Sequence, residues 1–160
     1  MRLEVDTAAG RLSMDETPFQ FDFSDLADIA LTPDGDIQLT PEGDIALVRG
    51  EDVIYQHILW RLRTVRGEWL LEPDCGTELR LLVGYPNSEE TGELVRSDVE
   101  AALTHDGFVP PELLLVEVAP ESRNAMTVFI HIEGLHKIMR FSLRLEDGEI
   151  EGWRLIDRVE

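Results

Sequence analysis

Three groups of residues in this chain have types and spacing that could do chemistry. His131-Ile-Glu-Gly-Leu-His136 brings two imidazoles and a carboxylate within six residues, and these are donor types that a zinc site uses. A helical zinc-hydrolase motif needs both histidines on one helix face. Here Gly134 interrupts the element, so His131 and Glu133 share a strand face while His136 falls across a turn. An exposed strand face accounts for the pattern, and no metal is expected. Cys75 is the single cysteine; as a nucleophile it would need His57 or His105 as base. Pro73-Asp-Cys-Gly76 resembles no nucleophile turn, and a lone cysteine is more simply a small packed hydrophobe. Glu68, next to Trp69, is the best candidate for a carboxyl with a raised pKa, yet just past a helix end it is more simply the partner of a nearby Arg. Among 33 acids some pair falls at glycosidase spacing by chance, so a carboxylate pair alone carries no assignment. The sequence therefore leads us to expect no catalytic residue, no metal, no cofactor and no enzymatic activity.

Composition narrows the partners. The chain has 160 residues, 43% of them apolar, enough for one domain or one domain with an arm. Thirty-three acids against 14 Lys+Arg give a formal charge of −19, so nucleic acid and anionic membrane surfaces would be repelled and neither is expected as a partner. One cysteine excludes an intrachain disulfide scaffold. No apolar run approaches the roughly 20 residues of a membrane span, and the start lacks a basic region followed by an apolar stretch, so synthesis in the cytoplasm without an export signal is expected.

Residues 1–50 hold eleven acids against Arg2, Arg11 and Arg49, with Gly and Pro interrupting every potential helix; this part is extended or turn-rich. Phe19, Phe21 and Phe23 alternate with polar residues and line one face of a short strand. That strand either packs back on its own domain or is part of an arm that docks on a partner. Thr32-Pro-Asp-Gly-Asp-Ile-Gln-Leu39 and Thr40-Pro-Glu-Gly-Asp-Ile-Ala-Leu47 form a two-copy repeat, each unit a tight turn leading into a strand rather than a calcium loop.

The period then becomes helical over Glu51–Val65, with Ile54, Tyr55, Ile58, Leu59, Leu62 and Val65 on one arc and Val53, Gln56 and Trp60 off it. An indole off the core arc is either capped by the N-terminal region or available to another chain. A second helix is expected from Thr77 to Val83, capped by Thr77. A third starts with Asn87 as cap and Glu90 at capping-box spacing, burying Leu94, Val95, Val99, Ala102 and Leu103. After Pro110-Pro111 the period is two: strands over 113–118, 126–132 and 138–145, and a fourth near 150–153 after Asp147-Gly148. Met139, Phe141, Leu143 and Leu145 face one way, and Arg140, Ser142 and Arg144 the other. The expected fold class is α+β: an N-terminal turn-rich β segment, three helices, then a C-terminal antiparallel β-meander packed on the helices. Residues 1–30 form an arm or extension and 31–160 the domain.

The series Gly43-Asp44, Gln56, Thr64-Val-Arg-Gly67-Glu68 and Pro73-Asp-Cys-Gly76 resembles the phage baseplate wedge family once called lysozyme-like, the sheath initiators of contractile tails and injection machines. The resemblance runs from about Gly43 to about Ile132. Where the family often has an aromatic before the second Gly this chain has Cys75, and where it often has Glu-Pro-Arg after the third helix this chain reads His105-Asp-Gly-Phe-Val109. Asp106 stands at the acidic position of that loop.

The resemblance implies a structural protein of a virion tail or injection particle. It would bind the wedge core and template the first sheath ring by strand addition, with sheath subunits and baseplate wedge proteins as partners and tube or hub proteins as further candidates. The lysozyme label has no matching catalytic constellation. Trp60, Phe19, Phe21, Phe23, Arg140, Ser142 and Arg144 are the expected interface. A baseplate peptidoglycan hydrolase and an acidic adaptor unrelated to tails are the competing classes.

Overall fold

The computed structural model describes residues 4–6, 11–13 and 25–157. A short hairpin pairs β1 (Glu4–Asp6) with β2 (Arg11–Ser13). Phe19, Phe21 and Phe23 lie outside the described residues.

β3 (Ala27–Ile29) pairs with β4 (Leu47–Arg49), and single bridges join Leu31 to Ile37 and Leu39 to Ile45. Three backbone bonds close this unit: Ala30 N–H to the Ala46 carbonyl, Gln38 N–H to that of Ala30, and Ala46 N–H to that of Gln38, at 2.8–2.9 Å. The result is a three-sided ring in which the eight-residue repeat occurs three times. Asp28-Ile-Ala-Leu31 is the additional copy, inconspicuous in the sequence because its turn lacks the Thr-Pro-x-Gly signature of the other two. In those two, Thr32 and Thr40 accept the Gly35 and Gly43 N–H on their carbonyls and the Asp36 and Asp44 N–H on their hydroxyls. Residues 25–30, the end of the expected arm, are built into this ring.

α1 spans Glu51–Arg63 and α2 Glu89–Thr104. The expected helix at 77–83 is instead a single 3-10 turn, Leu79–Leu82. Thr77 cannot cap it, because its N–H and carbonyl pair with Thr64 and Arg66 and its hydroxyl donates to the Leu62 carbonyl. Gly84 N–H then bonds the Leu145 carbonyl and draws the chain onto the sheet. Two helices, not three, complete the α layer. The cap of α2 is Ser88, whose hydroxyl accepts the Thr91 N–H at 3.2 Å. Asn87 is engaged elsewhere, donating to the carbonyls of Ser122 and Ala125. Thr91 takes the buried first-turn position, and Leu94, expected inside, is exposed.

The C-terminal sheet is a meander of β5 (Leu114–Ser122), β6 (Ala125–Ile132), β7 (Lys137–Arg144) and β8 (Ile150–Asp157), all antiparallel in that order. Met126, Val128 and Ile130 of β6 and Met139, Phe141 and Leu143 of β7 form its inner face and are buried against Ile58 and Leu62 of α1 and Val95, Val99 and Leu103 of α2. Val53, which the helical period places off the arc, is also buried. The Tyr55 hydroxyl donates to the Lys137 carbonyl and accepts its N–H, and burial pushes its pKa up to about 12.

Between α1 and the 3-10 turn, residues 64–77 close a loop in which Val65 and Thr77 run parallel and Gly67 N–H bonds the Pro73 carbonyl. Gly76 has φ +104°, and a Cβ there would stand 2.4 Å from the Thr64 carbonyl oxygen. Gly67 also has positive φ but opens on free space. Gly76→Ala should therefore cost about 3 kcal/mol or more, a strained backbone plus a clash, while Gly67→Ala costs only about 1 kcal/mol. Urea unfolding of the two variants tests this; equal losses would contradict the close approach at Gly76.

The ring is tied to α1 by one amide: Gln56 accepts the Leu31 N–H and donates to the Ile29 carbonyl, both at 2.9 Å. Gln56→Ala leaves these groups unpaired and should loosen the ring by about 1–2 kcal/mol. Hydrogen exchange at Ala30, Gln38 and Ala46 should accelerate about tenfold while the Val128 and Phe141 amides keep their rates. Unchanged exchange in the ring would remove Gln56 as its tether.

Candidate functional site

All three tryptophans of the chain line one groove of about 740 Å³. Its floor is the flank of α1 that the sheet leaves uncovered, including Asp52, Gln56, Leu59, Trp60 and Arg63. One wall is the ring at Leu31–Gly35 and Val48, and the other is the margin of the sheet at Trp153 and Leu155 of β8. Trp69, from the loop after α1, meets Trp60 edge to face with centroids 6.2 Å apart. Beyond it the loop tip presents Leu70 and Leu71, 93% and 83% exposed.

α1 sets this geometry because its residues point four ways. Ile58 and Leu62 go into the core. Gln56, His57 and Arg63 hold the ring: the His57 ring lies 2.8 Å from Asp28, and Arg63 donates to the Pro33 carbonyl. The His57 contact, with the Ile29 N–H, holds the Asp28 carboxyl below its usual range. Arg61 reaches across to Asp106 at 2.6 Å and lies over the Phe108 ring at 4.3 Å. Trp60 is left on the groove side, 44% exposed.

The residues that carried the family motif are structural in this geometry. Gly43 and Asp44 build a ring turn, and Gln56 is the tether. Thr64 pairs with Thr77, Gly67 and Pro73 share a hydrogen bond, and Gly76 permits the close crossing. The Glu68 carboxylate accepts the Val65 N–H at 3.2 Å on the exposed side of the loop. Next to this loop Arg66 pairs with Asp98 at 2.9 Å, and Asp98 also accepts the Glu78 N–H. Burial raises the Asp98 carboxyl in spite of those partners.

The other residues singled out in the sequence are placed apart. His131 pairs with Glu117 across β5 and β6 at 3.0 Å, whereas His136 binds Glu51 at the start of α1; the two imidazoles serve different carboxylates. Cys75 is buried. Among the described residues no group of three or more His, Cys, Asp or Glu could hold a metal ion. Arg140, Ser142 and Arg144 lie on the outer face of β7, an interior strand. Ser142 donates to Glu121, Arg140 approaches the same carboxylate, and Arg144 pairs with Asp147 and Glu151. Thr127, on the interior strand β6, is buried. The two free edges of the sheet are β5 and β8. Trp69 and Trp153 are site residues that the sequence reading did not single out; their shared type with Trp60 was the available signal.

No helix of the described residues is long and apolar enough to cross a membrane. No curated protein matches the chain in sequence. A family model described as contractile injection system sheath initiator matches residues 19–108, more than half of the 160 residues. The match takes in the ring, α1, the 64–77 loop and α2, and stops before the sheet. It starts earlier and ends earlier than the Gly43 to Ile132 span of the motif resemblance. The family is structural, and its members are parts of an injection particle. The chain belongs to the family of contractile injection system sheath initiators.

Proposed function

We propose that this protein starts the sheath by accepting an extended segment of a sheath subunit along the free edge of β8, with alternate side chains of that segment lying in the tryptophan groove. The observation that carries this reading is the position of the groove: it lies between an unpaired sheet edge and the uncovered flank of the helix beside it. An added fifth strand would satisfy the outward backbone groups of β8. Every second side chain would then fall on the inner face, over Trp60 and Trp153. The opposite edge is less suited, because β5 carries Pro120, a residue with no N–H to offer an added strand. Since Arg140 and Arg144 are engaged by acids of their own chain, register falls to the groove rather than to charge pairs on the incoming segment.

In this reading residues 1–24 of the N-terminal arm serve assembly and not folding of the domain, whereas residues 25–30 belong to the ring. No hydrolytic step is assigned: Glu68 closes a loop, and the two histidines serve separate carboxylates. Purified protein added to cell-wall suspensions should leave turbidity unchanged, and clearing that is lost in Glu68→Gln would restore the hydrolase reading.

Trp60→Ala should lower the yield of sheath assembled on baseplates about tenfold while shifting the melting temperature by only a few degrees, since Trp60 is 44% exposed. Trp153→Ala should lower the yield similarly but cost more stability, because Trp153 is partly buried against the core. Leu115→Ala, on the β5 edge, is the control and should assemble normally. If Leu115→Ala blocks assembly and the tryptophan variants do not, β8 is the wrong edge.

A further inference from the structure

Strand addition on β8 uses only the Leu31–Gly35 side of the ring and leaves the rest of its outer face free. Within each side of the ring, residues two apart share a face, and residues paired across a bridge lie on the same side. These relations link Ile29 to Leu31, Leu31 to Ile37, Ile37 to Leu39, Leu39 to Ile45, Ile45 to Leu47, and Leu47 back to Ile29. Six large aliphatic side chains therefore form one face. Ala30, Gln38 and Ala46 point the other way, and Ala30 is buried beside the Gln56 tether. The apolar face is open: Ile37, Leu39, Ile45 and Leu47 are 53–58% exposed and Ile29 is 39% exposed. A contiguous aliphatic face of this kind marks an interaction site more often than a neutral surface.

Charge selects the occupant. Residues 25–47 contain Asp25, Asp28, Asp34, Asp36, Glu42 and Asp44 and neither Lys nor Arg. Of these only Asp28 has an ion-pair partner among the described residues, His57. Asp34, Asp36, Glu42 and Asp44 stand at the turns that border the apolar face. A second copy of this chain would bring two such rims together. The chain's own Phe19-Gln-Phe-Asp-Phe23 would add one acid, Asp22, and no base. We infer that the outer face of the ring docks a second baseplate protein whose contact patch has an apolar centre and a Lys/Arg rim. Aliphatic burial supplies affinity, and the rim supplies attraction and orientation.

The inference rests on the chain's place in an injection particle and not on the choice of β8 as the sheath edge, so the two can fail separately. A photoreactive benzoylphenylalanine is placed at Leu39 in the full chain, particles are assembled and irradiated, and cross-linked peptides are sequenced. A parallel probe at Arg154 on β8 reads the sheath contact. The Leu39 probe should capture a baseplate protein other than this chain and the sheath subunit, at a segment where apolar residues are flanked by Lys or Arg. Reversing the rim with Asp36→Lys and Asp44→Lys, or at the second turn tip with Glu42→Lys, should reduce that cross-link at least tenfold while the Arg154 probe is unaffected. Capture of a second copy, of the chain's own residues 14–24 or of sheath at Leu39 would overturn the inference. So would no capture, or a yield indifferent to charge reversal in folded protein.

Discussion

The molecule depends on burying one face of a four-stranded sheet beneath two helices. Phe141, Val128, Met139 and Leu143 have no solvent-exposed surface, and they are covered by Val95, Val99 and Leu103 from α2 and by Ile58 and Leu62 from α1. Each such side chain contributes about 1.5–3 kcal/mol of burial, far more than any exposed ion pair in the structure. Once α1 is fixed by that contact and by Tyr55 on the start of β7, everything else follows from the directions of its remaining residues. Gln56 sets the ring, Arg61 locks the loop at Asp106, and Trp60 is left facing the groove between α1, the ring and β8.

The acidic balance is distributed to match. Arg61, Arg66, Arg140 and Arg144 each meet a carboxylate of the same chain, so the basic residues are used in joining elements. On the ring, where no Lys or Arg occurs between residues 25 and 47, Asp28 alone has an ion-pair partner among the described residues. A net charge of −19 then acts as a filter on association, favouring basic partner surfaces and opposing self-association through the ring.

Period-two alternation in Met139, Phe141, Leu143 and Leu145 is enough to read the meander and its inner face, and the 3.6 period of α1 and α2 is equally plain. Sequence pattern fails at places where a side chain has a distant partner. Thr77 and Asn87 both look like helix caps by type and spacing, but one is taken by Leu62 and the strand-like pairing of the 64–77 loop and the other by the β5–β6 hairpin. The third copy of the repeat is hidden because a ring side can form without the Thr-Pro-x-Gly turn. The motif residues point to the family by type and order alone, while their roles as turn, tether and close crossing depend on long-range contacts. Of the site, Trp60 is legible from its place off the core arc. Trp69 and Trp153 join it only when loop and sheet edge are brought beside the helix, which no local pattern encodes.

The central claim is that β8 is the acceptor edge. The most direct measurement is residue-resolved amide hydrogen exchange by NMR on the isolated protein, alone and with purified sheath subunits. The account predicts that alternate amides of Ile150–Asp157, those pointing away from β7, exchange freely in the isolated protein and become protected with sheath present, while the β5 amides keep their rates. Protection of Leu114–Ser122 with β8 unchanged, or no change at either edge in a mixture that assembles sheath, would contradict it.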